Sequence, residues 1–205
     1  MSFHTFHRRL ALLLASLLLG VLGGCASPAP NPTYYVLKSE PPVPHTLQEN
    51  QTAAPWQLVL PVRLPDYLDR DGLLLPQGNN AVQASSQHLW AEALSSSVPR
   101  VLMQDLRSLR GAGSVWTAPL GGAVVRGQLR VELLALDVNA RADGVSLQAR
   151  WSTQAQAAAG APLPQPAAHA VQLNVPSTGT DAAALVAAHR LALWQLAQAI
   201  ARTLL

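Results

Sequence analysis

Side chains able to do chemistry at neutral pH are scarce in this 205-residue chain. Beyond His4 and His7 there are four histidines, His45, His88, His169 and His189, far apart and without a partner at ligand spacing. Asp66, Asp69 and Asp71 form the acid cluster, but an oxygen-ligand cation loop needs tighter alternation and a bidentate acid downstream, and Arg70 sits among them. A solvated turn with local Asp–Arg pairing is the simpler reading. The sequence has no G-x-S-x-G, H-E-x-x-H, Walker loop or G-x-G-x-x-G. The expectation is no catalytic residue, no metal ligand, no cofactor and no enzyme activity. Arg126, Arg130, Arg141 and Arg150 could form a basic stripe. Glu132, Asp137 and Asp143 are interspersed with them, so a nucleic-acid footprint is not expected.

The single cysteine, Cys25, excludes an internal disulfide and any site of several thiolates. Its context supplies another chemistry. Arg8 and Arg9 precede the apolar run 10–22, which as a helix would span roughly 20 Å, too short for a bilayer core of about 30 Å. That pattern reads as a signal peptide, residues 1–24. The run closes on Leu22, Gly23, Gly24 and Cys25, which resembles the bacterial lipobox. By that resemblance the Cys25 thiol takes a diacylglycerol, cleavage makes Cys25 the N-terminus, and its amine takes a further acyl chain (palmitate, for instance). Several chains anchor a protein where one alone binds marginally. Ala26 follows where inner-membrane retention typically uses Asp, so the resemblance favours the periplasmic face of the outer membrane. Processing removes 24 residues, including Arg8 and Arg9 but no acid, so 181 remain and the formal charge falls from +3 to +1.

The elements that carry the rest follow from spacing. Residues 25–32 are the lipidated cysteine and a Pro-rich tether, with Pro28, Pro30 and Pro32 alternating. Residues 33–205 are expected to be one domain. Strands are predicted over 33–37 and 56–64; with Pro61 and Pro65 the second either lies at an edge or bends there. A hairpin turns through Gln77, Gly78, Asn79 and Asn80. A helix capped by Ser95, Ser96 or Ser97 has Pro99 in its first turn, or, if it starts earlier, near His88, is kinked by Pro99, and it stops at Gly111 and Gly113. A short strand covers 114–118, a long hairpin pairs 124–137 with 145–156, and another strand covers 169–175. The hairpin alternation, with Val145, Leu147, Ala149, Trp151 and Thr153 on one side, marks a sheet with one wet face.

A second helix over 181–205, capped by Thr180 or Asp181, puts Leu185, Val186, His189, Leu193, Leu196, Ile200 and Leu204 within about one 100° arc. The same wheel turns Trp194 outward, between Arg190 and Gln198. An outward Trp194 with Leu191 would form an apolar patch for a protein partner, and an exposed edge strand could accept a partner strand. The fold class is α+β, a two-layer sandwich with two amphipathic helices on one face of a mainly antiparallel sheet.

Three stretches together resemble the ABC-type transport auxiliary lipoproteins, the PqiC-like family. They are the lipobox followed by Tyr34-Tyr35-Val36-Leu37; Leu60-Pro61-Val62-Arg63-Leu64-Pro65-Asp66-Tyr67-Leu68-Asp69-Arg70; and His88-Leu89-Trp90-Ala91-Glu92-Ala93-Leu94. Ala93 stands where the family commonly has Pro. The resemblance implies an outer-membrane lipoprotein, an accessory subunit of an MCE-type, ABC-associated system that moves lipid between membranes and supports envelope integrity. Its partners would be an MCE-domain periplasmic conduit protein and that protein's inner-membrane components, with a homo-oligomer among the arrangements allowed. A structural or assembly lipoprotein for polysaccharide export or outer-membrane biogenesis is the alternative.

Overall fold

A computed structural model describes residues 31–45, 54–78, 80–118 and 124–204. Cys25, Leu22, Gly23, Gly24 and most of the tether lie outside the described residues. The elements run β1 (Thr33–Tyr35), β2 (Trp56–Leu58), a 3-10 turn (Asp66–Leu68), β3 (Gly72–Pro76), β4 (Val82–Trp90), α1 (Leu94–Arg110), β5 (Val115–Trp116), β6 (Gly127–Val138), β7 (Gly144–Ala155), β8 (Ala167–Pro176) and α2 (Ala182–Ala201).

The β6–β7 hairpin is the frame. It pairs Gly127 with Ala155 at one end and Val138 with Val145 at the other, and β8 continues the sheet antiparallel to β7. On β7 the odd-numbered residues from Val145 to Thr153 are buried, as the period-2 pattern requires. On β6 the buried set changes parity, from Leu129, Val131 and Leu133 to Leu136 and Val138. The register shifts between Leu133 and Ala135, leaving Leu134 as the extra residue of a bulge. A strict alternation would have turned Leu136 and Val138 to water; the bulge returns them to the core.

The sheets are mixed rather than purely antiparallel. β2 lies parallel to both β5 and β6, giving a five-stranded sheet in the order β5-β2-β6-β7-β8. A second sheet, β1-β4-β3, joins β1 parallel to β4 and β3 antiparallel to it. The expected hairpin is the β3–β4 pair. Of the two outcomes that Pro61 and Pro65 allowed, an edge or a bend, the chain takes the bend: β2 lies between β5 and β6 and ends at Leu58, ahead of both prolines.

α1 begins earlier than the serines implied. Its N-cap is Ala93, which makes no side-chain cap, and Pro99 falls in the second turn. Trp90 NH donates to Asp71 O and Ala91 NH to Tyr35 O, so the end of β4 is fixed three residues ahead of the helix. Gly111 closes α1 at φ 101°, a conformation that glycine adopts without a Cβ penalty. At α2 the cap is Asp181, whose carboxylate accepts from Ala184 NH at 2.9 Å.

The expected arc of α2, from Leu185 through Ile200, and Leu204 beyond it, are buried. The opposite side is buried too, which corrects the placement of Trp194: it is 1% exposed. α1 packs along α2, and residues 37–45, which follow β1 as coil although the first strand was expected to run through Leu37, lie across both helices. His45 meets the Trp194 ring edge-on at 5.0 Å between centroids and contacts Ser108 O at 3.1 Å. Leu191 is half-buried and packed against the core. The amphipathic expectation thus holds for one side of α2, while the other is covered by coil that has no periodic signature.

Candidate functional site: an arginine groove on the open sheet face

With the helices on one face of the five-stranded sheet, the other carries Arg130 and Glu132 on β6 and Gln148, Arg150 and Ser152 on β7, all on the face opposite the buried set. Glu132 and Arg150 are cross-strand partners, and Arg150 Nε donates to the Glu132 carboxylate at 2.7 Å. That hydrogen bond holds the Glu132 carboxyl below its ordinary range, with the positive charge of Arg63 adding to the effect.

Arg63 comes from a different part of the chain. Val59 NH donates to Leu129 O, and Arg63 NH to Val131 O at 3.3 Å; Leu133 NH then donates to Arg63 O at 2.8 Å. Between the first two anchors β6 advances two residues while the segment after β2 advances four. With two residues in surplus, the intervening Leu60-Pro61-Val62 must leave the ladder. Pro61 has no donor to lose there. Val62 turns inward and is buried, whereas Leu60 stays 49% exposed. Further along, Tyr67 in the 3-10 turn donates its hydroxyl to Asp137 on β6 at 2.7 Å, and Leu68 enters the core.

The looped-out segment walls one side of a groove of about 550 Å³. Its lining includes Leu60, Pro61, Arg63, Arg130, Glu132 and Arg150. A volume of this size is in the range of small-ligand sites, about 300–1,000 Å³. What it offers is apolar surface at Leu60 and Pro61 beside planar guanidinium donors suited to oxyanions. Of the expected basic stripe, Arg130 and Arg150 meet here. Arg141 instead pairs with Asp143 at the hairpin turn at 2.9 Å, and Arg126 lies near Arg110, whose ionisation burial opposes first and Arg126 second. The sequence reading passed over Arg63, because the parallel Arg63–Glu132 bridge that brings it in has no local signal.

Of the remaining candidates, His169 stacks on Trp151 at 5.4 Å and with it lines the groove, while the others lie elsewhere. His88 contacts the Tyr35 hydroxyl at 3.2 Å. His189 lies buried against Trp90, its Nδ1 2.8 Å from Leu185 O. Arg70 makes no salt bridge to Asp66, Asp69 or Asp71 among the described residues. No group of three His, Cys, Asp or Glu among those residues could hold a metal ion, and no described helix is long and apolar enough to cross a membrane.

Solved structures share this fold. The crystal structure of an uncharacterized protein superposes with a TM-score of 0.66 at 20% identity, covering 84% of this chain and 98% of that one. A DUF330 protein from Xanthomonas campestris superposes with a TM-score of 0.56 at 13% identity, covering 82% and 92%. No functionally curated protein matches the sequence. The family model for the ABC-type transport auxiliary lipoprotein component matches residues 35–201, from β1 to the end of α2. The segment 60–70 that walls the groove, the strand-to-helix passage 88–94 and both helices fall inside that match, and the chain belongs to the family of ABC-type transport auxiliary lipoprotein components.

Proposed function

We propose that this protein is a non-catalytic accessory subunit of an MCE-type intermembrane lipid transport system, anchored through lipid on Cys25 to the periplasmic face of the outer membrane. The family match over residues 35–201 carries the reading, since auxiliary components of this family serve ABC-type transport. The lipobox at residues 22–25 and the Ala at position 26 support the anchor and its side of the envelope. Three of the four histidines lie apart from the groove and the acid turn has no converging partner, which fits a binding subunit rather than a hydrolase. In this role the domain would hold the far end of a periplasmic conduit at the outer membrane, as a single copy or as a homo-oligomer.

The test is mild crosslinking in cells followed by purification of the wild-type chain and of Cys25→Ala. The wild type should fractionate with outer membranes and bring an MCE-domain protein with it. Cys25→Ala should leave that fraction and lose the envelope-integrity phenotype. Recovery with polysaccharide-export or outer-membrane biogenesis components instead, with no MCE-domain protein, would reject the proposal.

A further inference from the structure

The groove on the open sheet face has a composition that the fold does not require. Over the whole sequence 14 basic residues face 11 acidic ones, yet the groove gathers three arginines around one glutamate. Glu132 is engaged by Arg150. Arg130 donates to the neutral amide oxygen of Gln128 at 2.9 Å, and Arg63 takes part in no side-chain ion pair among the described residues. Although the Arg63 charge also acts on Glu132, three guanidinium groups against one carboxylate leave the groove with two positive charges in excess. Nothing about sheet stability calls for this, because like charges brought together on one face repel. Next to them the looped-out segment presents Leu60, 49% exposed, and Pro61. Cation and apolar surface side by side in one concavity are complementary to a molecule with an anionic group at one end and hydrocarbon at the other.

We propose that this groove binds an anionic amphiphile, with a phosphate-bearing headgroup held by Arg63 and Arg130 and the adjoining apolar portion laid along Leu60 and Pro61. Arg150 stays with Glu132 and fixes the floor. The assignment rests on the groove alone and stands whichever envelope machine the protein serves.

The test uses the mature lipidated chain in uncharged detergent micelles. Native mass spectrometry counts bound phosphatidylglycerol, with phosphatidylcholine at the same level as comparison, and calorimetry follows glycerol 3-phosphate as a headgroup without hydrocarbon. Phosphatidylglycerol should be retained over phosphatidylcholine, with glycerol 3-phosphate at least about tenfold weaker. Arg63→Gln/Arg130→Gln should lower phosphatidylglycerol binding about tenfold or more. Arg141→Gln, at the distant turn, should not change it. Leu60→Glu places an acid on the apolar wall without touching either arginine and should lower binding as well, so the result does not hang on one variant folding. Equal retention of both lipids, binding unchanged in Arg63→Gln/Arg130→Gln or in Leu60→Glu, or glycerol 3-phosphate bound as tightly as the lipid would each overturn the proposal.

Discussion

Arg190 on α2 and Asp105 on α1 form a two-point ion pair, with NH1 and NH2 donating to the two carboxylate oxygens at 2.8 and 2.6 Å. Asp105 has no exposed side-chain surface and Arg190 has 7%. The guanidinium is shared with the chain that crosses the helices: Nε donates to Lys38 O and NH2 to Glu40 O. Nearby, Arg100 on α1 reaches Leu37 O, Ser39 and Glu92. Two arginines thus tie residues 37–40 to both helices. Burial pushes the Asp105 carboxyl up to about 6, while the Arg190 hydrogen bonds oppose that shift.

Removing one partner leaves the other buried and unanswered. Asp105→Ala should cost about 3–5 kcal/mol of folding stability in urea titration. Replacing both, as Asp105→Leu with Arg190→Met, should restore part of it: no charge is left buried, but the carbonyls of Lys38 and Glu40 lose their donor. A single substitution costing under about 1 kcal/mol would show that the pair is solvated in solution.

Trp194 was legible from the helical wheel as a surface residue, and the wheel misled. The 20 residues of α2 contain one charged side chain, Arg190, and a helix apolar nearly all round is a buried helix. That compositional signal was available in the sequence; the identity of the covering segment was not. Trp194→Ala should cost about 3–5 kcal/mol, whereas Leu191→Ala should cost about 1 kcal/mol. The indole NH of Trp194 has no hydrogen-bond partner among the described residues, so Trp194→Phe should lose packing alone, about 1 kcal/mol. Thermal unfolding of the three variants separates these values.

The pH dependence of stability carries the mark of His189. Burial lowers its pKa from 6.5 to about 4. The unfolded chain takes up a proton on this imidazole below pH 6.5, and the folded chain does so only near 4. Stability present above pH 6.5 is therefore lost as pH falls toward 4, by about 3 kcal/mol in all. Asp105, raised to about 6, works the other way, favouring the folded state as pH falls from 6. The difference between wild type and His189→Phe, measured by denaturant unfolding at pH 7 and pH 4, isolates the imidazole. A difference that does not change with pH would contradict its burial in the neutral form.

Gly127 opens β6 where β2 and β7 both press on it. A Cβ there would meet Gln154 O of the backbone, Trp56 at 2.7 Å and Ala155 Cα at 2.9 Å. Gly127→Ala should cost about 1–3 kcal/mol, as overpacking does. Gly113→Ala, with open space around it, should change stability by under about 0.5 kcal/mol in the same assay.

How far the sequence could be read depends on where the information lies. The β6–β7 hairpin, the α2 arc and the Gly111 stop follow from period and turn chemistry within a dozen residues, and all are present. The Leu134 bulge escaped because Leu133, Leu134, Ala135 and Leu136 are apolar in both parities, so no alternation breaks there. The groove escaped for a different reason: Arg63 is far from Glu132 in sequence and joined to it by backbone bonds alone. The segment 60–70, picked out by resemblance, turns out to be what builds the groove wall and then ties down at Asp137 through Tyr67.

The carbonyls of Lys38 and Glu40, near the start of the domain, find their donor on α2, the last element described. Synthesis delivers every strand before the helix that completes them. Until α2 docks, the core sides of β7 and β8 lack the helix that covers them, and a core left open in this way is aggregation-prone.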